Sequence, residues 1–155
     1  MGREKSDGQR LSVIIPVLNE ERSLARILSA FESWERSASE IIVVDGGSAD
    51  RTLDIAGNYS CTVISAAKGR ASQMNAGANY ATGEILLLLH ADTTLPAAFA
   101  QLIEEALHRE AGDSKGFKEA EWGWFDVRLD GDGFAFRVIE WFMTVRARLT
   151  RVCTG

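Results

Sequence analysis

The chain has 155 residues, 46% of them hydrophobic and 25% charged, which is enough for about one soluble globular domain with a buried core. A formal net charge of −5 argues against a general nucleic-acid binder, which would show a basic face or stripe. The two cysteines, Cys61 and Cys153, form neither a disulfide framework nor a metal-site spacing, and they read as reduced thiols of a cytosolic protein.

Residues 1–10, MGREKSDGQR, are polar and lack the apolar stretch of a signal peptide, so a disordered lead-in is expected. Nowhere does an apolar run approach the ~18 residues of a membrane span, and a cytoplasmic location is the expectation. Leu11 to Ile15 is the first strand. Its Ile and Val residues do not alternate with polar ones, which fits a strand buried on both faces of a helix-covered parallel sheet. Asn19 reads as a helix N-cap with Glu20 and Glu21 in the first turn, followed by Leu24, Ile27, Leu28, Phe31 and Trp34 on one helical face. Ile41 to Val44 is the second strand. Ser48 or Asp50 would cap a short helix through Leu53 and Ala56 that stops near Gly57. Cys61 to Ser65 is a weaker strand, and Ala71 to Ala81 a helix of small residues suited to close packing on a sheet. Ile85 to Leu89 is the last strong strand. Pro96 suits a first helical position before Phe99, Leu102, Ile103, Ala106 and Leu107. Strand and helix alternate four times, which predicts an α/β fold: a Rossmann-like, doubly wound parallel sheet with right-handed connections and helices on both faces.

The character changes after Arg109. A polar loop is followed by a strand-like stretch from Trp124 to Leu129, and Gly131 and Gly133 break the chain. Phe134 to Leu149 then reads as a helix with Phe134, Val138, Trp141, Phe142 and Val145 on a broad apolar side, and Arg137, Arg146 and Arg148 around it. Burial against its own domain is the default for that side; a peripheral membrane contact or a homodimer contact through 134–149 is the alternative. Residues 11–109 thus form the core, and 110–155 begin a second region whose Trp122 and Trp124 suit either packing or sugar stacking.

In open α/β sheets, ligands bind outside the carboxyl ends of the strands. Pro16 to Glu21 follows the first strand, Asp45-Gly-Gly-Ser-Ala-Asp-Arg-Thr52 the second, Lys68-Gly-Arg-Ala-Ser-Gln73 the weak one, and His90-Ala-Asp-Thr93 the last. These residue types suit a nucleoside diphosphate. Asp45 can accept from a base N–H or a ribose hydroxyl, and Gly46 and Gly47 leave room for close approach. Arg70 can neutralise phosphate through paired hydrogen bonds. Asp92 can hold Mg²⁺ or Mn²⁺, which commonly bridge a carboxylate to substrate phosphates. Each residue also has a bland reading: Asp45 and Asp92 as turn formers, Glu20 as helix-start acid, Arg70 as surface charge, His90 as a satisfied structural histidine.

In this order, Pro-x-x-Asn-Glu, Asp-Gly-Gly-Ser-x-Asp-x-Thr, Lys-Gly-Arg with a later Asn-x-Gly, and His-Ala-Asp resemble the family 2 glycosyltransferases of the GT-A fold, from about Leu11 to Asp92. Gly-Arg-Ala-Ser-Gln-Met-Asn-Ala-Gly and Leu-His-Ala-Asp-Thr look closest to an arsenosugar-biosynthesis-like bacterial subgroup. The resemblance implies that Pro16, Asn19 and Glu20 border the nucleoside, Asp45 binds the base (commonly uracil), Arg70 lies near base or diphosphate, and Asp92 is the metal-binding acid. It further implies a nucleotide-sugar donor, a divalent cation and inverting displacement on an acceptor hydroxyl, with a general base.

Two positions depart from the family pattern. His90 replaces the first acid of the Asp-x-Asp motif, and imidazole ligates Mn²⁺ but is a poor Mg²⁺ ligand. The family's presumed base lies in a segment expected beyond Gly155, so the C-terminal part is expected to be truncated and no catalytic base is named. A dinucleotide-dependent oxidoreductase is disfavoured because Pro16 to Glu21 carries no Gly-x-Gly-x-x-Gly pattern. A nucleotidyltransferase would show a Gly-rich basic first loop, which is absent, and a non-catalytic nucleotide- or partner-binding module is the remaining rival.

Overall fold

The computed structural model describes residues 11–32, 39–96, 98–99, 101–103, 105, 126, 128–130 and 133–150. The chain divides into two compact units, Met1–Ala97 and Ala98–Gly155, a boundary earlier than the change of composition after Arg109.

Four strands of the first unit form one parallel sheet: β1 (Leu11–Val17), β2 (Ser39–Asp45), β3 (Thr62–Ser65) and β4 (Ile85–Leu88). Their order is β3-β2-β1-β4. β1 runs beside β2 from Leu11↔Ser39 to Val17↔Asp45, and beside β4 from Leu11↔Ile85 to Ile14↔Leu88. Three helices connect them: α1 (Leu24–Glu32), α2 (Thr52–Ala56) and α3 (Arg70–Tyr80). Both faces of the central strands are filled. Ile14, Ile42 and Val44 pack with Ile64, Ala66, Ala76, Ala78 and Ala81 on the α3 side. Alternation along the strands puts Val13, Ile15, Val17 and Val43 on the other side, all buried, as are Leu24, Ile27, Leu28 and Phe31 of α1.

α3 lies on the sheet with almost no intervening side chain. A Cβ on Gly77 would lie 2.4 Å from Cγ2 of Ile14, so glycine at this point lets the helix backbone approach the strands directly. At the opposite end of the sheet, Glu40 Oε1 accepts from Ser12 Oγ (2.6 Å), Thr82 N (2.6 Å) and Thr82 Oγ1 (3.0 Å), while Gly83 N donates to Ser12 Oγ (2.9 Å). This latch joins the amino ends of β1, β2 and the turn that feeds β4. The hydrogen bond from Ser12, with those from Thr82, holds the Glu40 carboxyl below its ordinary value.

Several expectations are corrected. Burial on both faces fails at β4, where Leu86 and Leu88 are exposed. They share the face of Ser12 and Ile14 by register, and α3 covers mainly β1 and β2, leaving this edge strand open on that side. Asn19 is not an N-cap: α1 begins at Leu24 and is entered by a turn in which Leu24 N donates to Glu20 O (3.0 Å). Asp50, not Ser48, serves the start of α2, its Oδ1 accepting Thr52 N (3.0 Å). Pro96 lies outside helix, and the described helical residues begin at Phe99. Trp34, Trp122, Trp124, Phe125 and Val127 lie outside the described residues, and Asp126, Arg128 and Leu129 form no strand. The last helix, α4 (Phe134–Thr150), is where the pattern put it. Arg137 ties the preceding segment to it, donating to Leu129 O (3.1 Å) and pairing with Glu140 (2.9 Å).

Candidate functional site

Because all four strands are parallel, every strand-to-helix loop of the first unit leaves from one edge of the sheet. The chain passes from β1 outward to β2 and β3, then returns to the far side of β1 for β4. That reversal between β1 and β4 is a topological switch point, where α/β sheets open a crevice. With strands about 4.8 Å apart, the exits of β2 and β4 stand about 10 Å from each other, a span a nucleoside diphosphate can bridge.

The first two loops are laced together. Asn19 N donates to Ser48 Oγ (2.9 Å), and Ala49 N donates to Asn19 Oδ1 (2.8 Å). Glu20 N donates to Thr52 Oγ1 (2.8 Å), Glu21 N to Asp50 Oδ2 (3.1 Å), and Arg51 N to Glu21 Oε2 (3.3 Å). Asn19 takes a left-handed φ of 59°, which asparagine tolerates better than most residues. Its side chain therefore builds the rim, and the Glu20 carboxylate accepts from Ser23 Oγ. Asp45, 4% exposed, closes its own loop: its oxygens accept from Gly47 N (3.0 Å) and Ser48 N (3.0 Å), with Gly47 at φ 97°. Pro16 is half-buried in β1, opposite Val44.

Arg70 is exposed at the first position of α3, directly after Gly69. His90 and Asp92 follow β4 on a turn in which Thr93 N donates to His90 O (3.1 Å) and the intervening Ala91 is buried. Arg26, from α1, donates to the Asp92 carbonyl (3.1 Å) and pins that turn. Burial, then the Arg70 guanidinium, push the His90 imidazole below its ordinary value, and Asp92 and Glu20 pull it back. Arg70, Asp92 and Glu20, each from a different loop or helix start, thus all act electrostatically on His90.

An imidazole held neutral keeps its lone pair for a metal. His90 and Asp92 offer one nitrogen and one carboxylate two residues apart, a set that suits Mn²⁺ better than Mg²⁺. No group of three His, Cys, Asp or Glu side chains gathers among the described residues, so an ion here would take its other ligands from phosphate and water. Sequence pattern alone missed Gln73, Arg26 and Thr52 as builders of this edge. Gln73 had a readable signal: it lies four residues before Gly77 and so shares its sheet-facing side.

A model of glycosyl transferase family 2 matches residues 12–140. The chain belongs to that family. Among its relatives, a 4,4'-diaponeurosporenoate glycosyltransferase of Staphylococcus haemolyticus is 34% identical over 101 residues, covering 60% of this chain and 27% of the relative. An undecaprenyl-phosphate 4-deoxy-4-formamido-L-arabinose transferase of Pseudomonas paraeruginosa is 34% identical over 108 residues, covering 62% and 32%. The chain therefore spans between about a quarter and a third of these relatives. S. aureus TarS shares the fold with a TM-score of 0.58 at 21% identity, over 66% of this chain and 20% of TarS. Glucosyl-3-phosphoglycerate synthase from Mycobacterium tuberculosis, solved with Mn²⁺, uridine-diphosphate and glucosyl-3-phosphoglycerate, gives 0.57 at 23% identity, over 64% and 40%. These likenesses make the family 2 chain's sheet a GT-A-type fold.

Proposed function

We propose that this chain carries the donor site of a glycosyltransferase that moves a sugar from a nucleoside diphosphate, UDP in the first instance, to an acceptor hydroxyl with inversion. The observation that supports it best is the electrostatic meeting of Arg70, Asp92 and Glu20 at His90, at the switch point of the sheet. Structures of TarS and of the synthase with UDP support the choice of nucleotide. In this reading, Pro16, Asn19, Glu20 and Asp45 border the nucleoside, Asp45 through the Gly46-Gly47 turn that it holds. Arg70 neutralises and orients the diphosphate. Asp92, with His90, would hold a divalent cation, Mn²⁺ before Mg²⁺, and that ion would offset the charge of the departing nucleoside diphosphate. The arsenosugar-biosynthesis-like subgroup is the finer family placement we favour, on the Gly-Arg-Ala-Ser-Gln-Met-Asn-Ala-Gly run, with the cytoplasm as the site of action.

Thermal unfolding tests the donor site. UDP with Mn²⁺ at about 100 times its dissociation constant should add about 2.7 kcal/mol. Asp92→Ala should remove the Mn²⁺-dependent part of that gain and leave the ligand-free melting temperature unchanged, since the side chain is exposed. The absence of any shift at millimolar UDP and Mn²⁺ would refute the proposal. A gain with UDP-sugars, but no hydrolysis or transfer in any full-length form, would favour the non-catalytic module.

We also propose that α4 meets an anionic lipid surface. Phe134, Val138, Trp141 and Phe142 are exposed along one side of it, and Arg137 and Arg146 lie to either side of that stripe. Among the described residues no helix is long and apolar enough to cross a membrane.

A further inference from the structure

Gln73 and Gly77 are the buried residues of α3, and Gln73, 4% exposed, is its one buried side chain with hydrogen-bonding atoms. It stands one turn before Gly77 and faces the sheet with it. Its Nε2 donates to Val17 O (2.8 Å) and to Val44 O (2.7 Å), at the carboxyl ends of β1 and β2. The opposite amide orientation would set an oxygen against two carbonyl oxygens, so the bonds themselves fix which atom is nitrogen. Val17 O already accepts Gly46 N (3.0 Å) in the ladder, and the amide fills a second lone pair there.

The residue beside this amide is Gly46. A Cβ at that position would lie 3.0 Å from Gln73 Cδ and Oε1 and 3.1 Å from Nε2. A side chain at Gly46 would thus crowd the Gln73 amide and oblige it to give way by a few tenths of an ångström. The helix that carries Gln73 also begins with Arg70, and Gln73 N donates to Gly69 O (2.9 Å) in that first turn. One residue therefore joins the exits of β1 and β2, through its side chain, to the first turn of α3, through its backbone N–H, so that three of the four proposed donor loops meet at it.

We infer that Gln73 is the positioning residue of the donor site: it sets the spacing of the loops at 18–21 and 46–48 and the seat of Arg70 relative to them. An apolar side chain of the same length would fill the volume equally well. What it would lack is a donor that binds two strand ends at once, which points to geometry, more than packing, as the task of this side chain. The inference rests on the donor-site reading.

Gln73→Met and Gly46→Ala test it, with UDP and Mn²⁺ as the probe. Calorimetric dissociation constants are taken well below each variant's melting transition, and the backbone amide resonances of Gly47 and Ser48 are followed alongside. Gln73→Met should weaken UDP by about tenfold or more while the folded chain persists, because small misplacements of binding groups are costly. Gly46→Ala, which keeps the glutamine but pushes it aside, should act in the same direction and shift the same two resonances. The two changes combined should cost less than their sum. A Gln73→Met chain that melts lower but binds UDP as the parent does would overturn the positioning role and leave the donor site standing. If Gln73→Met does not fold, the dissociation constant of Gly46→Ala decides. Failure of the parent chain to bind UDP would instead refute the donor site, independently of either variant.

Discussion

Gly77→Ala sets two effects of opposite sign against each other. Alanine favours a helix interior over glycine by about 1 kcal/mol. The new methyl carbon, however, would lie 2.4 Å from Ile14 Cγ2 and 3.0 Å from Val44 Cγ2. Carbon pairs attract best at about 3.5–4.0 Å, so α3 must lift from the sheet by about 1 Å, or Ile14 must leave its rotamer. Both neighbours are fully buried, and β-branched side chains have few other rotamers to adopt. Overpacking costs about 1–3 kcal/mol, and a gap this short puts it at the upper end, for a net loss of about 2 kcal/mol. For a folding unit of this size that is a fall of about 8–16 °C in melting temperature, at about 4–8 °C per kcal/mol. Circular dichroism melts of the whole chain measure it. In the Gly77→Ala background, Ile14→Ala should cost less than it does alone, by about 1 kcal/mol. A Gly77→Ala chain at least as stable as the parent would show that helix propensity dominates and that α3 does not ride on the strands.

The latch at the amino ends gives a pH-dependent prediction. Glu40→Ala should destabilise by about 1–2 kcal/mol at neutral pH, since it strands the buried Ser12 hydroxyl and hands the donors of exposed Thr82 to water. A carboxyl whose value is lowered by folding stabilises above its unfolded value and ceases to do so as pH falls through the folded one, so the gap between parent and variant should narrow as pH falls below the ordinary glutamate range. Denaturant melts at neutral pH and at about pH 3 separate this from a gap that stays constant, which would discard the role of the charge. For α4, flotation with anionic vesicles should carry the parent chain upward but not Trp141→Ser/Phe142→Ser. Concentration-dependent dimerisation without flotation would assign the helix to a second copy instead.

Much of the fold was legible because β1, β2 and β4 each carry a run of Ile, Val or Leu with no polar residue inside it, which none of the described helices shows. The close packing of α3 was legible from its small residues. The chemistry-bearing edge followed from topology alone, since parallel strands send every outgoing loop the same way. What could not be read were bonds across long sequence separations. Asn19 looks like a helix cap by spacing, yet its backbone N–H donates to Ser48 Oγ and its side-chain oxygen accepts from Ala49 N, about thirty residues on. Asp45 looked free to meet a base, and the amides of Gly47 and Ser48 claim its oxygens first. Leu86 and Leu88 looked like core because a Leu run carries no information about where a covering helix ends.

The lacing of the loops at Asn19–Glu21 and Ser48–Thr52 bears on how ligand preference can change. Five cross-links hold that rim before anything arrives, so little conformational freedom remains to be lost on docking. In the proposed donor site, discrimination between nucleobases should then reside in the few side chains that face outward from a stiff frame. Altered selectivity becomes a matter of swapping those side chains one at a time, with the frame carried over intact from variant to variant.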